Sequence, residues 1–397
     1  YAQRVTRGLS ARGWTVHVVA ATRAPGQPHA AVLEEGLDTG GRLLRVVNNL
    51  PWRPLSQREK DPLLEGRVRK AIHALKPDLV HVQHLLFLSA HLPLKVPALA
   101  TLHDAWAWCP RGGTLLFEGR EPCPGPDERR CPDCYGAFAR GSSAEHRLGQ
   151  LAGLASKVVA PERLHRAWRR LPAGVRGLTP RGPAPIARPG DLDRRQEALR
   201  RAFLRMERLL APSRFLAEEA TRQGLGAVHV HRHGVAPGPA HRGDGPLVFL
   251  GSLVPHKGAH LVAEACARVA QPLEIWGPET DADYARGLPG RQGACPPEHV
   301  PELLARARAL VLGSTWPENA PLVVIEARAS GCPVVAPRIG GLPELIEHGR
   351  DGLLYEAGSV ESLVQALGQL DQRFDVRPPP GFEQHLDELL EHYEAVL

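Results

Sequence analysis

Two glutamates, Glu318 and Glu326, stand on either side of a helix entrance with seven residues between them. The segment reads Trp316-Pro317-Glu318-Asn319-Ala320-Pro321-Leu322-Val323-Val324-Ile325-Glu326 and continues to Ser330-Gly331-Cys332-Pro333. Asn319 suits an N-cap and Pro321 a first-turn position. Gly331 suits a helix stop, and Pro333-Val334-Val335 the start of a buried strand, so the pattern predicts a helix over 320–330. A helix N-terminus offers unpaired N–H groups and partial positive charge, which together seat a diphosphate. Eight residues at ~1.5 Å each set the two carboxylates up to roughly 12 Å apart. That reach suits a ligand with a hydroxyl-rich group on each side of one diphosphate, as in a nucleotide-sugar. The plainer reading makes Glu318 a helix cap and Glu326 a solvated surface acid.

Other chemistry-bearing residues surround this pair. Lys257 follows an apolar run and a glycine turn, where a cation meets a diphosphate and stabilises it as it leaves; otherwise it is a surface lysine. His103-Asp104 follows the apolar run 97–102, at the end of a buried strand; otherwise His103 closes a turn. Trp106 and Trp108 flank the next loop and either pack it or stack on an acceptor sugar. Cys109, Cys123, Cys131 and Cys134 have thirteen, seven and two residues between them. The last pair has a metal-chelating spacing, and four thiolates suit a tetrahedral structural zinc. Free thiols, a redox-sensitive disulfide and an iron–sulfur centre are the alternatives. Cys266, Cys295 and Cys332 are scattered and read as core or bystander residues.

Positioning these groups takes two α/β units. Apolar runs over 15–21, 43–47, 79–82, 98–102 and 208–211 read as strands, with helices over 1–12, 62–75, 196–207 and 213–223. A second series of strands lies at 247–250, 273–276, 309–312 and 334–335. Helices at 258–269, 301–307, 320–330, 342–347 and 359–370 separate them. The alternation predicts two facing doubly wound parallel-sheet domains joined near 234–246, with ligands bound at the carboxyl ends of their strands. The expected division is 1–236, with a Cys-rich loop at 104–136, then 237–376. A closing helix in 377–397 is expected to pack back towards the first domain.

At 397 residues, 43% hydrophobic and 23% charged, the chain reads as a soluble globular protein, with no apolar run long enough to span a bilayer. Seven cysteines in this pattern do not form a secreted disulfide framework, which favours the cytoplasm. The net charge of +6 is concentrated: residues 129–208 hold 18 Lys and Arg against 7 Asp and Glu. This segment suggests an anionic surface or acceptor, including a peripheral place at the inner membrane face, unless it is a solvated helical face. No known nucleic-acid-binding module appears in it, so nucleic acid is not expected as a partner.

The chain resembles the retaining glycosyltransferases of family 4, which have the two-domain GT-B fold. The resemblance is most specific over 248–356. It rests on Leu250-Gly251-Ser252-Leu253-Val254-Pro255-His256-Lys257-Gly258, the glutamate pair, Gly340-Gly341-Leu342-Pro343-Glu344-Leu345-Ile346 and Asp351-Gly352-Leu353-Leu354. It implies transfer of a sugar, configuration retained, from a UDP- or GDP-linked donor to a glycan or lipid-linked acceptor. Glu318 would bind sugar hydroxyls, Glu326 the ribose, and the amides of Ala320, Leu322 and Val323 the phosphates. Pro321 has no N–H to offer. Lys257 would bind the diphosphate and His103 would orient the sugar, while Asp104 and Trp106 would face the acceptor. No cofactor or Mg²⁺ is implied for catalysis. Ser252 stands where the family usually has an arginine, and His256 is the candidate substitute cation. The family's first strand and glycine-rich loop precede the helix that here begins at Tyr1, so weak activity is expected of the chain as written. A GT-B protein that binds nucleotide-sugars without turning them over is the rival, and an epimerase of UDP-sugars a more distant one.

Overall fold

The computed structural model describes residues 1–24, 26–49, 60–92, 94–119, 121–140 and 190–397. Most of the basic segment 129–208 lies outside the described residues.

The first half opens with α1 (Ala2–Ala11), β1 (Val18–Thr22), β2 (Val32–Gly36), β3 (Arg42–Val47), α2 (Pro62–Leu75), β4 (Val80–Val82) and β5 (Ala98–Thr101). A 3-10 turn (Ala105–Ala107) leads to a small hairpin, β6 (Leu116–Phe117) with β7 (Glu121–Pro122), and to α3 (Arg130–Arg140). Then come α4 (Asp191–Phe203), β8 (Arg208–Ala211), α5 (Arg214–Arg222) and β9 (Val228–Val230). Strands β4-β5-β8-β9 form one parallel sheet in that order. A separate sheet, β1-β3-β2, is antiparallel at β2.

The second half runs β10 (Leu247–Leu250), α6 (Ala259–Arg268), β11 (Leu273–Trp276), α7 (Ala282–Arg286), β12 (Arg291–Gly293), α8 (Val300–Arg306) and β13 (Ala309–Val311). It continues with α9 (Leu322–Ala329), β14 (Val334–Pro337), α10 (Leu342–Leu345), β15 (Gly352–Tyr355), α11 (Val360–Leu367) and α12 (Phe382–Glu394). Its six parallel strands are ordered β12-β11-β10-β13-β14-β15. Both faces are covered, so β10 is apolar at every position. Leu247 and Phe249 enter one core with Ile275, Val311 and Leu363. Val248 enters the other with Leu310, Val324 and Val334.

Strand order reverses between β10 and β13, and in open α/β sheets such a switch point is where ligands bind, beyond the strand ends. The loops leaving β10 and β13 carry Lys257 and Glu318, which is why the two halves of the sequence motif meet. Helix α12 returns to the first half: Leu386, Leu389 and Tyr393 pack with Val5 and Leu9 of α1 over Leu99 and Leu210. Among the described residues no helix is long and apolar enough to cross a membrane.

Two expected helices shift, and two strands were not expected. The helix expected over 196–207 occupies Asp191–Phe203, and that expected over 320–330 begins only at Leu322. Strands β2 and β12 had no apolar signature, because they are sheet edges with exposed polar residues.

Candidate active site

Backbone contact brings the two loops together. Gly258 has φ +70°, and a Cβ there would lie 1.8 Å from the Gly313 carbonyl oxygen. Only glycine allows this approach. It sets Lys257 beside Glu318, whose Oε1 accepts three hydrogen bonds: from Lys257 Nζ at 2.7 Å, Ser314 Oγ at 2.6 Å and Trp316 Nε1 at 2.8 Å. The ammonium also lies 4.6 Å from the centre of the Trp316 ring, a cation–π contact. Glu318 is buried, at 5% exposure. Its Oε2 takes no hydrogen bond from a described residue, so the carboxylate is pinned through one oxygen and open at the other. Its backbone is held too: Gly341 N donates to Glu318 O at 2.7 Å.

Asn319 does not cap α9. The capping position belongs to Pro321, at φ −64° and ψ 124°, with no side-chain cap. The extended proline delays the helix start by two residues and frees Asn319 for the opposite domain. Asn319 Nδ2 donates to His103 O at 2.8 Å, and Ser213 Oγ donates to Asn319 Oδ1 at 2.5 Å. Ser213 also caps α5, accepting from Leu216 N at 3.1 Å. Glu344 reinforces the same junction by accepting from the amides of Arg214 and Phe215, at 2.8 and 2.6 Å. Asn319→Ala strands a carbonyl and a hydroxyl at this junction, and we expect roughly 1–3 kcal/mol lower stability in urea unfolding. An unchanged midpoint and slope would remove Asn319 as an interdomain strut.

The His103 carbonyl is thus engaged by Asn319, and its ring Nε2 lies 2.8 Å from Gln83 Oε1, which makes Nε2 the donor. Burial pushes its pKa down to about 4, so the ring is neutral at pH 7. Glu326 projects from α9 towards α1 and is paired with Arg4 at 2.9 Å. At the first turn of α9, Val324 N bonds Pro321 O at 3.0 Å, leaving the Leu322 and Val323 amides outside the helix ladder. Ala320 is buried beside them. The Ser252 carbonyl accepts from Val254 N at 3.0 Å and shapes the turn before Lys257. His256 has its pKa lowered, first by burial and then by Lys257 and Arg111. A neutral imidazole does not replace the arginine that the family usually carries at the Ser252 position.

On the first-domain side, Asp104 accepts from Trp106 N at 2.8 Å and lies 3.5 Å from His84, so it closes the turn after β5. Trp106 corrects an expectation. It is 2% exposed, with the Arg195 guanidinium 5.3 Å from its ring centre and donating to its carbonyl at 2.6 Å. The ring packs the loop and offers no face to an acceptor sugar. The sequence contains two Asp-x-Asp triplets, and both begin helices. Asp191 starts α4 and pairs with Arg194, and Asp281 caps α7.

Two family models match the chain in tandem: Glycosyltransferase Family 4 over residues 1–135 and Glycosyl transferases group 1 over 245–372. The chain belongs to the family-4 glycosyltransferases. Over its whole length this family-4 member superposes on a sucrose-phosphate synthase from Thermosynechococcus elongatus, with TM-score 0.58 and 16% identity, covering 100% of this chain and 90% of that one. HepE of Anabaena, solved with UDP and glucose, matches with TM-score 0.54 and 17% identity, covering 96% and 99%. These likenesses establish the GT-B fold of two Rossmann-like domains. A D-inositol 3-phosphate glycosyltransferase of Corynebacterium glutamicum is 31% identical over 181 residues, 41% of this chain and 40% of that protein. An exopolysaccharide phosphotransferase of Streptomyces coelicolor is 46% identical over 76 residues, 19% of this chain and 8% of that protein. The chain therefore spans less than half the length of these curated relatives.

This family-4 member also holds a feature that the motifs do not reveal. His81, His103, His231, His233, His385 and His392 gather where the first sheet meets α12. The sequence carried a signal for part of it: His229, His231 and His233 alternate along β9 and beyond. His81 lies 2.8 Å from both Thr101 Oγ1 and Tyr393 Oη. Neither ring nitrogen of His231 has a hydrogen bond from a described residue. Burial, then neighbouring imidazoles, lower His81 and His233 to about 3 and His231 to about 2. Unfolded, each titrates near 6.5. The unfolded chain therefore binds more protons between those values. The stability this cluster gives is full above pH ~6.5 and lost as pH falls towards the folded pKa values. We expect Tm to be level from pH 7 to 8 and to decline steadily from 6.5 to 5 in scanning calorimetry. A level Tm down to pH 5 would contradict this.

Proposed function

We propose that this protein transfers a sugar from a UDP- or GDP-linked donor to a hydroxyl of a glycan or lipid-linked acceptor, with retention of configuration. The observation that carries the reading is the Glu318 carboxylate, fixed at one oxygen by Lys257, Ser314 and Trp316 and open at the other, in the crevice at the strand switch point. Its free oxygen takes the donor's sugar hydroxyls. Lys257 and the outward amides of Leu322 and Val323 neutralise the diphosphate as the bond to the anomeric carbon breaks. Glu326 takes the ribose hydroxyls once Arg4 is displaced. A leaving phosphate oxygen accepts the proton of the incoming acceptor hydroxyl, so no carboxylate nucleophile is needed. Neutral His103 lines the opposite wall and orients the sugar. UDP is the first nucleotide to test, because HepE was solved with UDP-glucose.

A thermal-shift screen against UDP, GDP, ADP and their sugars tests the donor. The preferred nucleotide-sugar raises Tm through binding to the folded state. NMR of the glycosylated product then reads the anomeric configuration. Inversion, or no shift with any nucleotide, would overturn the proposal. A second reading, nucleotide-sugar binding without turnover, is favoured by Ser252, the neutral His256 and the Arg4–Glu326 pair. Binding with neither transfer nor hydrolysis would select it.

A further inference from the structure

We propose that Cys109, Cys123, Cys131 and Cys134 bind one structural zinc ion that holds together the loop between β5 and α3. All four line the wall of a single cavity of about 280 Å³, and all are free thiols. They come from three separate pieces: Cys109 from the turn after β5, Cys123 from just beyond the hairpin, and Cys131 and Cys134 from the first turns of α3.

Two backbone amides already point at sulfur. Asp127 N donates to Cys131 Sγ and Glu118 N to Cys134 Sγ, each at 3.3 Å. Such N–H···S bonds orient metal-bound sulfur. Zinc binding to four thiols releases four protons to solvent and leaves a site of net charge −2. Arg111 and Arg130 line the same cavity and balance it. Arg111 is tied in by a bond to the Cys134 carbonyl at 3.4 Å, and Arg130 lies 4.1 Å from the centre of the Phe117 ring.

The loop needs such a tie. Its hairpin has strands of only two residues, far too short to persist unaided. Among the described residues no three His, Cys, Asp or Glu side chains are yet gathered as a bound ion would gather them. Binding would draw the sulfurs to about 2.3 Å from the ion, replacing the contacts of Cys123 Sγ with Gly125 O and of Cys134 Sγ with Leu116 O.

The site is independent of the donor reading, and its test does not rely on turnover. The whole chain, without a histidine tag, is produced in zinc-supplemented medium, and metals are measured by mass spectrometry. One zinc per chain is expected. In a Cys295→Ser chain, a mercurial reagent should release it as the four clustered thiols react, with a metal dye reporting the release. Cys131→Ser with Cys134→Ser should abolish retention. Should that variant fail to fold, the mercurial titration of the Cys295→Ser chain decides alone. No bound zinc, a disulfide within the four, or iron with visible absorption would each overturn the proposal.

Discussion

Lys257→Ala is expected to lower kcat about 10²–10³-fold, equivalent to about 2.7–4 kcal/mol of transition-state stabilisation. The expectation follows from position. The ammonium is fixed by Glu318 and the Trp316 ring at the mouth of the crevice, so it is ordered before any ligand arrives. With serine at 252 and a neutral imidazole at 256, neither residue shares the leaving charge with it. The loss should therefore fall on kcat more than on KM, because charge on the departing phosphate grows as the bond breaks. Lys257→Arg should recover only part of the rate, since a planar fork does not fit a point-charge position. Steady-state kinetics on the donor selected by thermal shift give the answer. A kcat within threefold of the parent would exclude Lys257 as the main neutralising group.

Glu318→Gln should separate sugar from nucleotide recognition. The amide keeps an acceptor oxygen for Ser314 and Trp316, so the fold is retained. The charge proposed to grip sugar hydroxyls is lost. Two charge-assisted bonds at about 1.5 kcal/mol each give a fall in kcat/KM of roughly 10²-fold. Affinity for UDP or GDP alone, measured by calorimetry, should stay within a fewfold. Equal losses for the nucleotide and the nucleotide-sugar would show that Glu318 acts on the diphosphate side instead. Glu318→Ala is a poorer probe, because it strands three donors in a buried place.

Much of this site could be read in the sequence, for a physical reason. Parallel strands covered on both faces produce unbroken apolar runs such as Leu247–Leu250, and loops leaving such strands form the crevice. Lys257, Glu318 and His103 were therefore placeable from the runs before them. What sequence spacing could not supply was the pairing of atoms. Asn319 has the composition of a helix cap, yet an extended Pro321 diverts it to a carbonyl in the other domain. Trp106 has the composition of a sugar platform, yet Arg195, nearly ninety residues away, covers it. The imidazole cluster joins residues more than three hundred positions apart, and only the return of α12 brings them together. Edge strands such as Arg291–Gly293 left no pattern, because a sheet edge need not be apolar.

Glu344 belongs to one lobe but completes the first turn of α5 on the other, accepting from the amides of Arg214 and Phe215. Prising the halves apart by a few ångströms deprives those amides of their acceptor while Ser213 loses its hold on Asn319. Gaping of the jaws consequently unpairs the first two amides of α5, while Ser213 still caps Leu216 N. Amide exchange at 214 and 215 becomes a direct gauge of how often the mouth opens.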